Sequence, residues 1–194
     1  MITVYPFELG NRMQQLTDNA LMLKVKSGDL DKLGLLYERH KKRLFGFFYN
    51  LNHNPGLSED LVQNVFVRML KYRHSYSGEG SFLAWMFSMA RNVRYDHYKK
   101  NDNRFDDLTQ VEYRITDNIN IESDMNKRDD LNMLQRAMAK LDEEKREILV
   151  LSKFKEMKFS EIGTILGCSE GAAKVKAHRA LKDLKRIVQK MQIQ

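Results

Sequence analysis

The chain is poor in the residues that staple or interrupt a fold: one cysteine, Cys168, and two prolines, Pro6 and Pro55, in 194 residues, with ten glycines spread thinly. A lone thiol excludes an internal disulfide and any zinc site built from several cysteines, and it fits a reducing compartment. No window long enough to span a bilayer is uniformly apolar, and the N-terminus lacks a basic stretch followed by an apolar one, so neither membrane insertion nor secretion is expected and the protein reads as cytoplasmic. Strand-like alternation of Val, Ile and Thr with polar residues is missing, whereas Leu, Met, Lys, Glu and Arg abound; the expectation is helix throughout. Also missing are a G-x-x-x-x-G-K loop, an H-E-x-x-H pair and a G-x-S-x-G elbow, so no catalytic residue, no cofactor and no metal ligand set is assigned. The adjacent acids Glu143 and Glu144 belong at a helix start, where capping accounts for them.

What is present is a patterned charge. Residues 17–100 carry a net +6, residues 101–125 a net −5 and residues 126–194 again +6, within an overall +7. Two basic blocks flanking an acidic one suggest two small domains and a tether, with a polyanion as partner. The same division allows a free protein that folds its basic domains together around the acidic stretch.

Periodicity supplies the elements. Asp18 or Asn19 is placed to cap a short helix with Leu21, Met22 and Val25 inside, ending at Ser27-Gly28-Asp29. A longer helix carries Leu33, Leu36, Tyr37, Leu44, Phe47, Phe48 and Leu51 and stops at Asn52-His53-Asn54-Pro55-Gly56. Ser58 is expected to cap a third helix with Leu61, Val65 and Met69 buried, and with Val62 and Tyr72 as candidates for the same stripe. After a Gly-containing loop, a fourth helix runs from Ser81 to Lys99-Lys100. The 101–127 stretch, rich in Asp and Asn, reads as a flexible acidic linker. Helical spacing then resumes with the stripe Leu131, Leu134, Met138 and Leu141, and Asp142-Glu143-Glu144 opens a helix burying Ile148, Leu149 and Leu151.

The most informative stretch is 159–185. Ile162, Ile165 and Leu166 make a short amphipathic helix with Gly163 where a crossing helix needs minimal bulk. Gly167 suits a left-handed helix end and Ser169 a cap for the next helix. On that helix Ala173, Ala177, Ala180, Leu181, Leu184 and Val188 share one face, while Lys174, His178, Lys182 and Lys185 oppose them with Arg179 and Arg186 at the edge. A helix-turn-helix presenting cations to a major groove accounts for this combination; a basic solvated helix over a three-helix core is the plainer alternative. His178 contacts a base or a phosphate. Upstream, Phe82, Trp85, Phe87, Tyr95 and Tyr98 interleave with Arg91, Arg94, Lys99 and Lys100. Such a surface suits unstacked bases, although Phe82, Trp85 and Met89 are better placed for a core. Asn92 reads a base edge or bonds a neighbouring helix.

These residues carry a resemblance. Asp60-Leu61-Val62-Gln63-Asn64-Val65-Phe66 resembles the D-L-V-Q-E-x-F signature of sigma factors. Phe82-Leu83-Ala84-Trp85-Met86-Phe87-Ser88-Met89-Ala90-Arg91-Asn92 is similar to their F-x-x-W-L-x-x-I-A-R-N stretch, and 141–181 to their region 4 block ending in E-I-A-x-x-L-G-x-S-x-G-T-V-K-S-R-x-x-R-A-L. With no room for a region 3, the chain resembles the extracytoplasmic-function (ECF) group of the sigma-70 family. The resemblance implies an all-α protein of two small helical domains: region 2 over 17–100, an acidic linker over 101–127, and region 4 over 128–190. It implies a transcription initiation factor that docks on core RNA polymerase, with Asp60, Gln63 and Phe66 against the clamp coiled coil of the largest subunit and region 4 near the flap. Promoter DNA would be read at the −10 element by His74, Ser75, Tyr76, Ser81, Trp85, Arg91, Asn92 and Tyr95, one base being flipped as the duplex opens. The −35 element would meet Ser169, Lys174, Val175, Lys176, His178, Arg179 and Lys182. An anti-sigma factor is a possible further partner, and the acidic linker suits channels that normally carry nucleic acid.

Departures from the pattern are specific. Ala172-Ala173 replace T-V and Val175-Lys176 replace S-R on the recognition helix. Lys158 stands where Ser or Thr commonly caps, a local cost of about 1 kcal/mol, and Asn64 replaces an acid in the polymerase motif. A two-component regulator with a similar helix-turn-helix would need an α/β receiver, absent before Asn101, and an anti-sigma protein would not need two basic DNA-facing elements.

Overall fold

The computed structural model describes residues 16–102 and 125–192, and among these every regular element is helical. The body of the expected linker, 103–124, lies outside the described residues.

Helix α1, Asp18–Lys26, is capped by Thr17, whose hydroxyl accepts from the Ala20 amide at 3.2 Å. The expected caps have other work. Asp18 pairs with Arg39 at 2.9 Å and His40 at 2.8 Å on helix α2, Asp31–Asn52, and Asn19 reaches the loop before helix α4. Helix α2 ends at His53, which takes the left-handed conformation (φ 51°). Helix α3, Pro55–Lys71, begins with proline at its first position, where a missing N–H costs nothing. Its cap is Asn54, accepting from Leu57 N at 3.0 Å; Ser58, expected to cap, is buried and donates to Asn54 O at 2.7 Å. A short 3-10 turn, Arg73–Ser75, and an irregular loop lead into helix α4, Phe82–Asp102.

The chain resumes with helix α5, Met125–Ala139, and helix α6, Glu143–Leu149, the latter capped by Asp142 accepting from Lys145 N at 2.9 Å. Helix α6 widens into a π-helical turn, Val150–Phe154, closed by Lys155 N to Val150 O at 3.0 Å. Helices α7, Phe159–Leu166, and α8, Glu170–Gln192, complete the chain. Leu131, expected in the stripe of α5, is 56% exposed, while Met138 and Leu141 are buried.

The N-terminal unit packs α1, α3 and α4 around α2. Its centre is Phe47, edge-on to Phe48 and Phe87 at 5.3 and 5.2 Å between centroids. Truncating such a ring typically costs about 3–5 kcal/mol. The C-terminal unit packs α5, α6 and α7 on α8 through Ala137, Ile148, Ile162, Ile165 and the alanines of α8.

The two units meet. Helix α4 lies on α7, and α2 lies on the π-helical turn. Arg43 donates to Lys155 O at 2.7 Å, and Gly46 leaves room for the Lys155 ammonium: a Cβ there would stand 2.5 Å from it. Burial, with Arg43 beside it, pushes the Lys155 ammonium below its ordinary pKa.

Candidate nucleic-acid interface

Amphipathicity divides α3 cleanly. Leu61, Val62, Val65, Phe66 and Met69 point inward, whereas Asp60, Gln63 and Asn64 face solvent. Phe66 is 7% exposed and meets Tyr37 edge-on at 5.0 Å, so of the three residues assigned to a polymerase contact it shapes the helix seat while Asp60 and Gln63 are available. Gln63 lines an open cleft of roughly 340 Å³ with Tyr37, Lys41, Phe45 and Glu59. Val67, one turn beyond Gln63 and 64% exposed, extends the outward strip. Nothing in the motif singles out Val67; its i+4 spacing from Gln63 places it on the same strip.

The 73–81 loop is held by α1. Lys26 donates to Tyr76 O at 2.5 Å, Asn19 donates to Gly80 O at 3.0 Å, and the Tyr76 hydroxyl donates to Asn19 Oδ1 at 2.6 Å. Gly78 takes φ +81°, and a Cβ there would come within 2.9 Å of Leu23. Tyr76 is buried, with its ring 4.8 Å from Trp85, and burial raises its phenol pKa. In this conformation it fixes the loop that carries His74 and Ser75, both exposed. Trp85 is half-buried between Tyr76 and Phe82. Phe82 and Met89 are core, as their positions suggested, and Tyr95 stands out at 67% exposure beside exposed Asn92 and Arg91.

Several of these groups are already engaged by the C-terminal unit. Ser81 donates to Glu161 on α7 at 2.5 Å. Arg91 pairs with Glu147 at 3.1 Å, and Arg94, which also donates to Asn52 at 2.8 Å, pairs with Glu143. Glu147 is buried, and burial raises its carboxyl pKa with Arg91 acting against the rise. Within the described residues, the groups that hold the basic α4 are thus acids of α6 and α7; the clasp expected of the acidic linker falls outside them.

The helix-turn-helix is built as its residues dictate. Gly163 has no alternative: a Cβ would lie 2.7 Å from the Cys168 carbonyl oxygen, a backbone atom that cannot swing aside. Gly167 closes α7 in the left-handed conformation (φ 66°), and Ser169 Oγ accepts from Ala172 N at 3.1 Å to start α8. At the α7 start, Lys158 offers no acceptor, but Glu161 accepts from the Lys158 amide at 3.1 Å, supplying half of a capping box. Ala173, Ala177 and Ala180 are buried against α6 and α7, bringing the helix axes close. Opposite them, Lys174, Val175, His178, Arg179 and Lys182 are exposed, with Ser169 exposed at the helix start. Lys174 pairs with Glu170 at 2.6 Å, and Lys176, half-exposed, pairs with Glu144, whose hydrogen bond raises the lysine pKa. Among the described residues no group of His, Cys, Asp and Glu is arranged to hold a metal, and no helix is long and apolar enough to cross a membrane.

Two family profiles match, one described as Sigma-70 region 2 over residues 36–104 and one as Sigma-70, region 4 over residues 131–184. The chain is 30% identical to RNA polymerase sigma factor CarQ of Myxococcus xanthus over 179 residues, covering 89% of this chain and 98% of that one. It is 31% identical to ECF RNA polymerase sigma factor SigF of Caulobacter vibrioides, covering 85% and 90% of the two chains. The fold is shared with CnrH, solved in complex with the cytosolic domain of CnrY (TM-score 0.68, 23% identity, covering 89% of this chain and 97% of that one). It is also shared with the sigma factor RpoE of Bartonella quintana, solved with the anti-sigma factor NepR (TM-score 0.68, 21% identity, covering 80% and 96%). A region 2 unit and a region 4 helix-turn-helix in one short chain, with ECF sigma factors as relatives over nearly their full length, identify this protein as a member of the ECF group of the sigma-70 family.

Proposed function

We propose that the protein acts in the cytoplasm, without catalytic chemistry of its own, as the subunit that brings core RNA polymerase to a set of promoters. Residues 17–100 serve as region 2 and 128–190 as region 4, joined by 101–127. Asp60 and Gln63 meet the clamp coiled coil of the largest polymerase subunit. His74, Ser75, Ser81, Trp85, Arg91, Asn92 and Tyr95 form the −10 surface, with Tyr76 setting the loop. Ser169, Lys174, Val175, Lys176, His178, Arg179 and Lys182 form the −35 surface, and region 4 lies near the flap. The observation that carries this reading is the two-faced α8: an alanine seam on one side and a cationic face on the other, held behind a glycine-tight turn.

The closed arrangement bears on how the factor works. The −10 and −35 elements lie about 25 base pairs apart, roughly 85 Å at 3.4 Å per step, whereas α4 and α7 are in contact. Reading both elements requires the units to part, and Ser81 and Arg91 to exchange carboxylate partners for nucleic acid. An anti-sigma factor would exploit the same closed form.

The test is run-off transcription with core polymerase from the source bacterium, this protein and a pool of its genomic promoters. Discrete transcripts downstream of a shared two-box sequence support the reading. Duplex binding without polymerase and without transcripts would reduce the protein to an ordinary helix-turn-helix regulator.

A further inference from the structure

Val175 occupies the middle of the face that α8 turns outward. At 3.6 residues per turn it lies diametrically opposite the buried Ala173, Ala177, Ala180 and Leu184, and it is 49% exposed. Around it on that face are Gly171, His178, Arg179 and Lys182, all exposed. Single exposed apolar residues are ordinary on protein surfaces, but this one shares its face with the cations Arg179 and Lys182.

We propose that the Val175 methyls seat against the 5-methyl group of a thymine, so that the upstream promoter element of this protein carries a thymine at the base step facing Val175. The inference rests on reading α8 as the −35-binding helix. Valine has neither donor nor acceptor. Set against the N7, O6, O4 or amino groups of a major groove, it would strip them of water and return nothing. Only thymine presents an apolar group there. The surrounding cations favour nucleic acid over a protein partner as the occupant of this face. Helix propensity does not account for valine, because a β-branched residue is a poor choice at an exposed helical position. The same branching holds it near one rotamer, so little freedom is lost on contact. Gly171, one turn earlier, has open space where its Cβ would be, so that turn of α8 can approach the base edges closely.

The experiment uses holoenzyme reconstituted from core polymerase and this protein on a promoter recovered by run-off transcription. Each thymine of the upstream element is replaced singly, on either strand, by deoxyuridine, which removes the methyl and nothing else. At one step, open-complex formation at limiting holoenzyme should fall about fourfold, the worth of one buried methyl, with smaller changes elsewhere. Val175→Ala should weaken the thymine promoter by a similar factor and abolish the difference between thymine and deoxyuridine at that step alone. Insensitivity of the wild-type protein to every deoxyuridine, or a sensitivity that survives in Val175→Ala, would overturn the proposal. Weakened holoenzyme assembly in Val175→Ala, with thymine discrimination intact, would overturn it in favour of a protein contact. Scrambling the whole upstream element separates the two levels: if transcription is then unchanged, the −35 reading itself fails. If transcription is lost while deoxyuridine is harmless, only the thymine contact fails.

Discussion

Glu143 offers a direct handle on the closed arrangement. Its side chain is 67% exposed, while Arg94 across the contact is only 10% exposed, so a substitution at Glu143 disturbs the junction and spares the region 4 core. Two unit charges about 4 Å apart interact by about 4 kcal/mol at an effective dielectric of 20. Solvent around an exposed partner reduces this to about 1 kcal/mol at most. Glu143→Lys removes that attraction and adds a repulsion of similar size, a swing of about 2 kcal/mol. At 1.4 kcal/mol per tenfold, the ratio of open to closed molecules rises roughly thirtyfold. The neighbouring acid provides the control: Glu144 pairs with Lys176 inside region 4, so Glu144→Lys makes the same change in net charge without removing an ion pair across the junction. Spin labels at Lys71→Cys and Lys185→Cys, both exposed positions, in a Cys168→Ser background, would report the distance between units. Glu143→Lys should move population from the short to the long distance while Glu144→Lys leaves it in place. In 1 M salt, where the Debye length is about 3 Å, the wild type should open as well. Identical distance distributions for the two lysine variants, or a wild type indifferent to salt, would refute the claim that these ion pairs hold the units together.

Gly163→Ala should destabilise region 4 by about 1–3 kcal/mol, because the added carbon meets the Cys168 carbonyl; a thermal melt unchanged within error would show that the turn can relax. Tyr76→Phe removes the 2.6 Å bond to Asn19, at a cost of about 0.5–1.5 kcal/mol, and should alter the emission of Trp85, the sole tryptophan, 4.8 Å away. An unchanged spectrum would mean that the ring alone sets the loop. Burial lowers the pKa values of His40 and His53 from an ordinary 6.5, against the pull of Asp18 on His40 and with Arg146 adding to the effect at His53. The folded protein therefore binds these protons less readily than the unfolded chain, and their stabilisation, full above pH 6.5, is lost as pH falls through the lowered values. Glu147, raised by burial, acts oppositely: its contribution is full below the ordinary glutamate range and declines as pH rises through its own value. The part of the pH dependence that comes from the histidines should lower the thermal midpoint as pH drops below 6.5, and His40→Gln should flatten that fall.

Local chemistry made much of this protein legible. Gly163, Gly167, Ser169 and the alanine spacing of α8 define the helix-turn-helix because each requirement, a close approach, a left-handed end, a cap and a narrow seam, acts within a few residues. Caps were less secure. Asn54 and Thr17 compete with Ser58 and Asp18 within one turn, and tertiary partners decide: Ser58 is buried, and Asp18 is claimed by Arg39 and His40. Motif resemblance names Phe66 and Tyr76 as contact positions without saying which way they face, and in the free chain both are buried. The pairing of Arg91 with Glu147 joins residues 56 apart in sequence, and no periodicity reports such a meeting. The π-helical turn after Leu149 was equally hidden, since one widened turn barely disturbs an apolar pattern.

The two faces of α8 do separate work. Ala173, Ala177 and Ala180 hold the helix against its support, while Val175, His178, Arg179 and Lys182 stand outside the packing. Substitutions on the two faces should combine additively where the side chains share no partner. A lineage carrying this scaffold can then exchange its outward residues while its melting temperature stays almost still.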